Sequence, residues 1–200
     1  MKNIIFISFI FVILSCEKEE SDDGCNRRFY YYDSEKIFLT EIPNQGTVSF
    51  YDTLSGDEIN QILEQYNGVQ VLSVPSNSHY AIISYGLETC TETNKLISIM
   101  LDDSRISNSN KFFISDEGYT LGISDFFVCK LKNRSMQNNL NELLNITQTE
   151  MMKSDTSKNH YIIRADKNAN GDALEMANKF FESGYFEYAE PEFILSYGTY

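Results

Sequence analysis

Basic side chains are scarce in this chain of 200 residues, which has 16 Lys and Arg against 29 Asp and Glu and a formal net charge of −13. Proteins bind phosphate backbones by neutralising them with Lys and Arg, so this balance argues against nucleic acid as a partner. The sequence also lacks a glycine-rich phosphate loop after a predicted strand, and it lacks residues at metal-ligand spacing. We therefore expect no metal and no other cofactor.

The N-terminal apolar run is too short to span a bilayer. Residues 1–15, MKNIIFISFIFVILS, have one Lys followed by this run, which is typical of a secretory signal peptide. The next residue is Cys16, and ILSC resembles a bacterial lipobox. The resemblance implies that Cys16 is lipidated and that the lipid alone attaches the protein to a membrane. The alternative is an ordinary signal peptide followed by a chance cysteine.

The segment after Cys16 is strongly acidic. EKEESDDG cannot bury apolar area, so it is predicted to be a solvated tether, and residues 16–45 are assigned to this acidic tether and an entry segment of the fold. The acids directly after the cysteine also resemble the surface-export signals of Bacteroidetes lipoproteins. This resemblance implies an outer-membrane lipoprotein exposed at the cell surface.

Three further cysteines follow Cys16, namely Cys25, Cys90 and Cys129. This odd number permits at most one intramolecular disulfide, and the spacing does not fit a zinc site. The expectation is two cysteines that are buried as small apolar side chains and one that lies in the tether.

The two histidines indicate an internal repeat. His79 and His160 each begin a strand-like run, HYAIISY and HYIIRAD, and they lie 81 positions apart. At the same offset, Ile99 and Met100 fall on Phe180 and Phe181, and KFFIS at 111–115 falls on EFILS at 192–196. Several apolar elements that match in one order favour a duplication.

Each copy has the element order βαββαβ. Ser55 with Glu58 and Asp172 with Glu175 form capping-box patterns at two of the predicted helix starts. In this topology two helices pack on one face of a four-stranded antiparallel sheet, so we predict an α+β fold of two tandem ferredoxin-like units, each with an open sheet face. The predicted divisions are a first unit at 46–116, a linker at 117–124, a second unit at 125–197 and a tail at 198–200.

The second copy resembles a known family. HYIIRAD and ALEMANKFFESGYFEYAEPEFI are similar to the prodomain of subtilisin-like serine peptidases, above all those of Bacteroidetes. FFISDEGYTLGISDFFVCKLK also resembles these proteins, so the similarity covers most of residues 29–197. The resemblance implies a βαββαβ unit that lays its sheet on two protease helices and runs its C-terminal tail into the substrate cleft.

The resemblance also implies which residues bind. Two acids near the last strand of such prodomains cap helix N-termini of the protease, and the matching positions are Glu190 and Glu192. At the offset of 81, the first copy has Ser109 and Lys111 instead, so only the second copy is expected to bind. The alternative is two ordinary surface glutamates. The residues expected in the cleft are Ser196, Tyr197, Gly198, Thr199 and Tyr200.

The chain contains no motif that resembles the catalytic Ser, His and Asp motifs of the family. We therefore expect a protein that is not an enzyme, in which His79 and His160 are structural. The expected partner is the catalytic domain of a subtilisin-like serine protease, which the chain inhibits or helps to fold. The alternatives are a truncated or split remnant of such a protease, and a surface peptide-binding or adhesion module.

Overall fold

A computed structural model describes residues 23–76 and 78–195, so Cys16 and residues 196–200 lie outside the described residues. The described part is an α+β fold in which one antiparallel sheet of nine strands carries four helices. The strands are β1 (Arg27–Tyr32), β2 (Glu35–Phe50), β3 (Gln70–Ser73), β4 (Tyr80–Ser84), β5 (Ile106–Ser115), β6 (Thr120–Leu131), β7 (Glu150–Asp155), β8 (His160–Arg164) and β9 (Phe186–Leu195). The helices are α1 (Gly56–Leu63), α2 (Cys90–Leu101), α3 (Gln137–Thr147) and α4 (Ala173–Glu182).

The strands have the same order in the two halves of the chain. In the first half the order across the sheet is β3-β4-β2-β5, and in the second half β6 pairs with β8 and β9 while β7 pairs with β8. The second order is therefore β7-β8-β6-β9, which matches the first strand for strand. Each half also has one helix after its first strand and one before its last.

Polar side chains at the helix starts explain where three of the helices begin. Ser55 and Glu58 form the predicted capping box of α1, in which each side chain accepts from the other residue's backbone N–H. Thr89 accepts a hydrogen bond from the N–H of Glu92 at the start of α2. Asp172 does the same for the N–H of Glu175 at α4, although Glu175 does not return the bond as a capping box requires.

Each half has its own hydrophobic core beneath its helices. The first core combines α1 and α2 with β2 and β4 and includes Phe50, Ile83 and Met100. The second combines α3 and α4 with β6, β8 and β9 and includes Phe127 and Phe180. A third cluster crosses between the halves, because it brings together Leu39 from β2, Phe113 from β5, Ile123 from β6 and Leu174 from α4.

The repeat does not keep one gapless offset. The buried face of α1, with Ile62, matches Leu143 of α3 at 81 positions, as expected. From β4 onward the matching buried residues lie 80 positions apart, as with Ile83 and Ile163. A shift of one residue in a strand exchanges the two sheet faces, so the expected single offset of 81 is wrong for the later elements.

Helix α2 shows the same one-residue shift. Met100 and Phe180 are both fully buried, whereas Ile99, which the offset of 81 would match to Phe180, is 59% exposed. The edge strands β3 and β7 also match at an offset of 80. Register shifts occur between Val71 and Ser73 in β3 and between Met151 and Lys153 in β7, again 80 positions apart.

The N-terminal segment differs from the expected tether. Residues 27–45 belong to β1 and β2, which pair from Arg27 with Thr40 to Tyr32 with Glu35. Asp33 and Ser34 make the intervening turn with φ values of 48° and 69°. Short polar residues of this kind tolerate left-handed backbone, which a two-residue hairpin turn needs.

The expected linker at 117–124 is also largely strand. β6 begins at Thr120 and pairs with β5, with Leu121 opposite Phe113. Gly122 reads as a loop residue in the sequence, but the Phe112 ring lies 2.3 Å from where its Cβ would stand. Glycine is therefore required here for close packing inside the sheet and not for a flexible connection.

The cysteines also differ from expectation. Cys25 and Cys90 form a disulfide, while Cys129 is free and buried. The residues just before β1 run beside the start of α2, where the N–H of Thr91 donates to the carbonyl of Asp23 at 3.2 Å. This contact brings the two sulfur atoms together, a long-range arrangement that cysteine spacing alone does not reveal.

Candidate docking surface

The second half exposes the sheet face that its helices leave uncovered. Val128 pairs with Ile162 on one side and with Glu190 on the other, so the three side chains share one face. Phe127, the neighbour of Val128, points the opposite way into the core. We call the exposed side the outer face and define it by Val128, Ile162, Tyr188, Glu190 and Glu192, of which the first four are half-buried and the last is exposed.

Glu190 is the unusual residue of the outer face. Burial raises the pKa of its carboxyl group, and no cation or hydrogen bond from another described residue offsets this effect. A half-buried carboxylate without such a partner is less stable than one in water. Its position therefore favours a ligand that supplies hydrogen-bond donors or positive charge.

Glu192 has a partner within the chain. Ser124 donates a hydrogen bond of 2.6 Å to its carboxylate. Burial and then the charge of Glu192 raise the pKa of Tyr80, which places this acid close to the first half. Because Glu190 and Glu192 alternate with the buried Pro191, both carboxylates point to the outer face.

The positions of the first half that match Glu190 and Glu192 in the structure carry no acids. They differ by one residue from Ser109 and Lys111, the positions that the offset of 81 predicted. Ser109 and Lys111 face the helices, where Ser109 lies 2.9 Å from the hydroxyl of Tyr85 and Lys111 forms a salt bridge of 2.9 Å with Glu41. Pairing and the offset of 80 match Glu190 to Asn110 instead. Assigning Ser109 and Lys111 was an error of one residue, which in a strand selects the opposite face.

The candidate tail residues 196–200 lie outside the described residues. β9 continues as a strand beyond Glu192 as far as Leu195, the last described residue, which pairs with Leu121 of β6. Three residues after Glu192 are thus held in the sheet.

His79 belongs to a buried polar cluster at the junction of the halves. Its Nε2 lies 3.5 Å from Oδ1 of Asp125, a fully buried carboxylate. Ser107 donates to Oδ2 of Asp125 at 2.8 Å, and Nε of Arg164 lies 3.1 Å from the same oxygen. Sequence reasoning missed Asp125, Ser107 and Arg164, because only the packing of the two halves brings them together.

The cluster contains Ser, His and Asp but not the arrangement of a catalytic triad. Ser107 donates to Asp125 and not to His79, so the imidazole is not placed to accept the hydroxyl proton. Ser107 is also fully buried. The second histidine, His160, begins β8 and lies 6.2 Å from the ring of Tyr188, measured between ring centres.

Residues 23–76 and 78–195 contain no group of three or more His, Cys, Asp or Glu side chains that could hold a metal ion. None of the helices in this part of the chain has the length and apolar character needed to cross a membrane.

Comparison with known proteins adds no relative. The chain matches no protein-family model, and a search of curated proteins returns no match.

Proposed function

We propose that the chain is a non-catalytic surface lipoprotein that binds a subtilisin-like serine protease as a prodomain-like inhibitor or folding chaperone. The finer fold in this proposal is two tandem ferredoxin-like units, of which the second is the prodomain-like one. The strand order shared by the two halves supports the repeat. The similarity of FEYAEPEFI to the last strand of such prodomains supports the assignment of the second unit.

The observation that carries the proposal is the half-buried, unpaired carboxylate of Glu190 on the outer face. A helix N-terminus presents free N–H groups and the positive end of the helix dipole, and both favour a carboxylate. A protease helix that meets the outer face would supply the partner that Glu190 lacks among the described residues. Glu192 is more exposed and would have to share its carboxylate with Ser124.

The remaining parts of the proposal concern the two ends of the chain. Cys16 carries the lipid and anchors the protein at the outer membrane, and the lipobox-like ILSC supports this assignment. Residues 196–200, which lie outside the described residues, enter the substrate cleft in this proposal, and the aromatic and uncharged side chains of SYGTY support this assignment.

Inhibition of a cognate catalytic domain by the purified mature chain tests the proposal. Each helix cap contributes roughly 0.3 to 2 kcal/mol, so Glu190→Gln/Glu192→Gln should weaken binding by about three-fold at the low end of this range and by several hundred-fold at the high end. A chain that ends at Leu195 should lose competition with substrate and keep part of its affinity. Glu142→Gln is the control, because it makes the same charge change on α3 at an exposed position.

The result that would contradict the mechanism is binding by the wild type that neither change affects. A peptide-binding or adhesion module would then be the better explanation.

A further inference from the structure

The β1–β2 hairpin leans against β9 without pairing with it. The ring of Tyr30 meets the ring of Phe193 on β9 edge to face, with ring centres 4.6 Å apart. On the other face of β1, Tyr31 stacks on Phe181 of α4, with ring centres 4.5 Å apart. Among the described strands β1 pairs only with β2, so no ladder of hydrogen bonds joins it to β9. A cleft of about 270 Å³ remains between the hairpin tip and β9.

Aromatic side chains form the walls of this cleft, which we call the tip cleft. The four rings belong to Tyr31, Tyr32, Phe181 and Tyr188. Tyr32 is 59% exposed, so its wall is open to solvent. The face of an aromatic ring attracts a cation that lies within about 6 Å of the ring centre. The chain already places one cation in this way, because Lys36 Nζ lies 5.6 Å from the centre of the Tyr31 ring.

Carboxylates complete the lining of the tip cleft. They belong to Asp33 in the hairpin turn and to Glu187 and Glu190 of β9. Lys130 pairs with Glu187 at 2.5 Å from outside the cleft. Within the described part of the chain, Asp33 and Glu190 form no salt bridge, and the lining includes no Lys, Arg or His. The tip cleft therefore combines uncompensated negative charge with aromatic faces.

We propose that the tip cleft binds an arginine side chain of a partner polypeptide. A guanidinium group is planar, so it stacks on an aromatic ring while its N–H groups bond to a carboxylate. Lysine has a compact ammonium group without a planar face. Pockets for drug-sized ligands hold roughly 300–1,000 Å³, so the smaller tip cleft fits a single side chain. The open wall at Tyr32 lets this side chain enter while the partner's backbone stays outside.

The charge of the whole chain favours the same occupant. Its formal net charge is −13, so a basic segment is attracted from a distance and an acidic one is repelled. Burial raises the pKa of Glu190, and a guanidinium beside this carboxylate would offset the loss of hydration. The inference goes beyond the proposed function, since Tyr32 and Asp33 precede both βαββαβ repeats.

An NMR titration of the purified mature chain with N-acetyl-L-arginine amide tests the proposal. The probe has blocked termini, so only its side chain carries charge, as within a polypeptide. A ligand of this size should bind with a Kd on the order of 1 mM. N-acetyl-L-citrulline amide, which has nearly the same shape and no charge, should bind at least about ten-fold more weakly. Equal binding of the two probes would overturn the inference.

Paired variants locate the binding at the tip cleft. Tyr32→Leu/Asp33→Asn removes one ring and one charge and should weaken binding of the arginine probe at least about ten-fold. Asn tolerates the left-handed backbone at position 33, where φ is 48°, so the turn is kept. The matched control is Tyr119→Leu/Glu142→Gln, which makes the same types of change at a ring that is 63% exposed and at an exposed acid of α3. Equal affinities for the two variants would contradict the proposal.

A second measurement needs no variant and so covers the case in which Tyr32→Leu/Asp33→Asn does not fold. In the wild type, the arginine probe should shift the amide resonances of residues 31–34 and 187–190 more than all others. Larger shifts elsewhere would overturn the inference, and so would an equal affinity for N-acetyl-L-lysine amide. The titration contains no protease, so its failure leaves the proposed function standing. A wild type that does not bind a protease likewise leaves the tip cleft standing.

Discussion

The last strands of the two halves, β5 and β9, occupy the same position in the repeated order but have different surroundings. β5 pairs with β2 on one side and with β6 on the other, and its first eight residues are all buried. β9 pairs with β6, the only hydrogen-bonded neighbour it has among the described strands, and alternates between buried and more exposed residues. β5 is thus an internal strand, whereas β9 has one described neighbouring strand and several partly exposed side chains.

Polar residues of the first half serve the contact between the halves. Asn108 of β5 donates to the carbonyl of Ala165 at 3.0 Å, and Thr47 of β2 donates to the carbonyl of Ile123 at 2.6 Å. Both donors are buried. The open face of the first half is therefore partly used inside the molecule, whereas the outer face of the second half keeps Glu190 without a partner from the described residues.

The disulfide gives the largest expected difference between the halves. Cys25 and Cys90 are 65 positions apart, and a loop of this size corresponds to about 4 kcal/mol of unfolding free energy in the chain-entropy model. In the second half the position matching Cys90 is Asn170, which donates to the carbonyl of Ile146 at 2.7 Å instead.

Cys25→Ser/Cys90→Ser should lower the unfolding free energy by about this amount in urea titrations. A reductant should destabilise the wild type and leave the double variant unchanged. Burial raises the pKa of the Cys129 thiol, so Cys129 should react with an alkylating reagent only after unfolding. If reductant did not change the unfolding free energy of the wild type, the disulfide would not account for a stability difference between the halves.

The N-terminal caps of α2 and α4 should contribute differently to the unfolding free energy. Asp172 caps α4 and also receives two hydrogen bonds from Arg28 of β1, at 2.6 and 2.8 Å, whereas Thr89 caps α2 without a charged partner on β1. Asp172→Ala should cost about 3 kcal/mol, because it leaves a largely buried guanidinium short of a partner. Thr89→Ala should cost about 1 kcal/mol. Chemical denaturation measures both, and equal losses would show that the ion pair adds nothing.

The offset between the copies can be tested with adjacent residues of α2. Met100 is fully buried and Ile99 is 59% exposed. Met100→Ala should therefore lower the unfolding free energy by at least about 2 kcal/mol, and Ile99→Ala by about 0.5 kcal/mol or less. A larger loss for Ile99→Ala than for Met100→Ala would favour an offset of 81 over an offset of 80 in this helix.

The smallest effect concerns Glu190 and has a defined pH dependence. Burial raises its pKa in the folded protein above that of the unfolded chain, so the folded state binds more protons and loses stability as the pH rises through this range. Glu190→Gln should remove this loss and raise the unfolding free energy at neutral pH by about 0.5 kcal/mol or less, with no difference where the carboxyl is protonated.

Denaturation at pH 3 and pH 7 measures this change. Glu142→Gln, which makes the same charge change at an exposed position of α3, is the matched control. A destabilised Glu190→Gln protein at neutral pH would mean that the carboxylate has a stabilising partner.

Much of the helical structure could be predicted from the sequence, because its signals are local. Ser55 and Glu58 fix the start of α1, and the apolar stripe that includes Ala173 and Phe180 predicts α4. The hairpin of β1 and β2 was not predicted, because RRFYYY lacks the alternation of apolar and polar residues that marks a half-buried strand. These strands are stabilised by contacts with β5 and α4, which lie far away in the sequence.

The sequence predicts part of the candidate docking surface. Glu190 and Glu192 do point outward, but the sequence could not separate offsets of 80 and 81, since the apolar runs of β4 and β8 fit both. The environment of Glu190 depends on β6 and β8 beside it. The cluster around Asp125 depends on how the halves pack, which no local pattern encodes.

The matching register shifts in β3 and β7 have a consequence for how the protein behaves at high density. These two strands end the path across the sheet, where free N–H and C=O groups would otherwise offer a template for a neighbouring chain. A bulge interrupts the ladder and twists the edge, so a second molecule cannot extend it strand by strand. Crowded copies of the chain would thereby resist pairing at the β3 and β7 edges, whereas β1 has no such bulge.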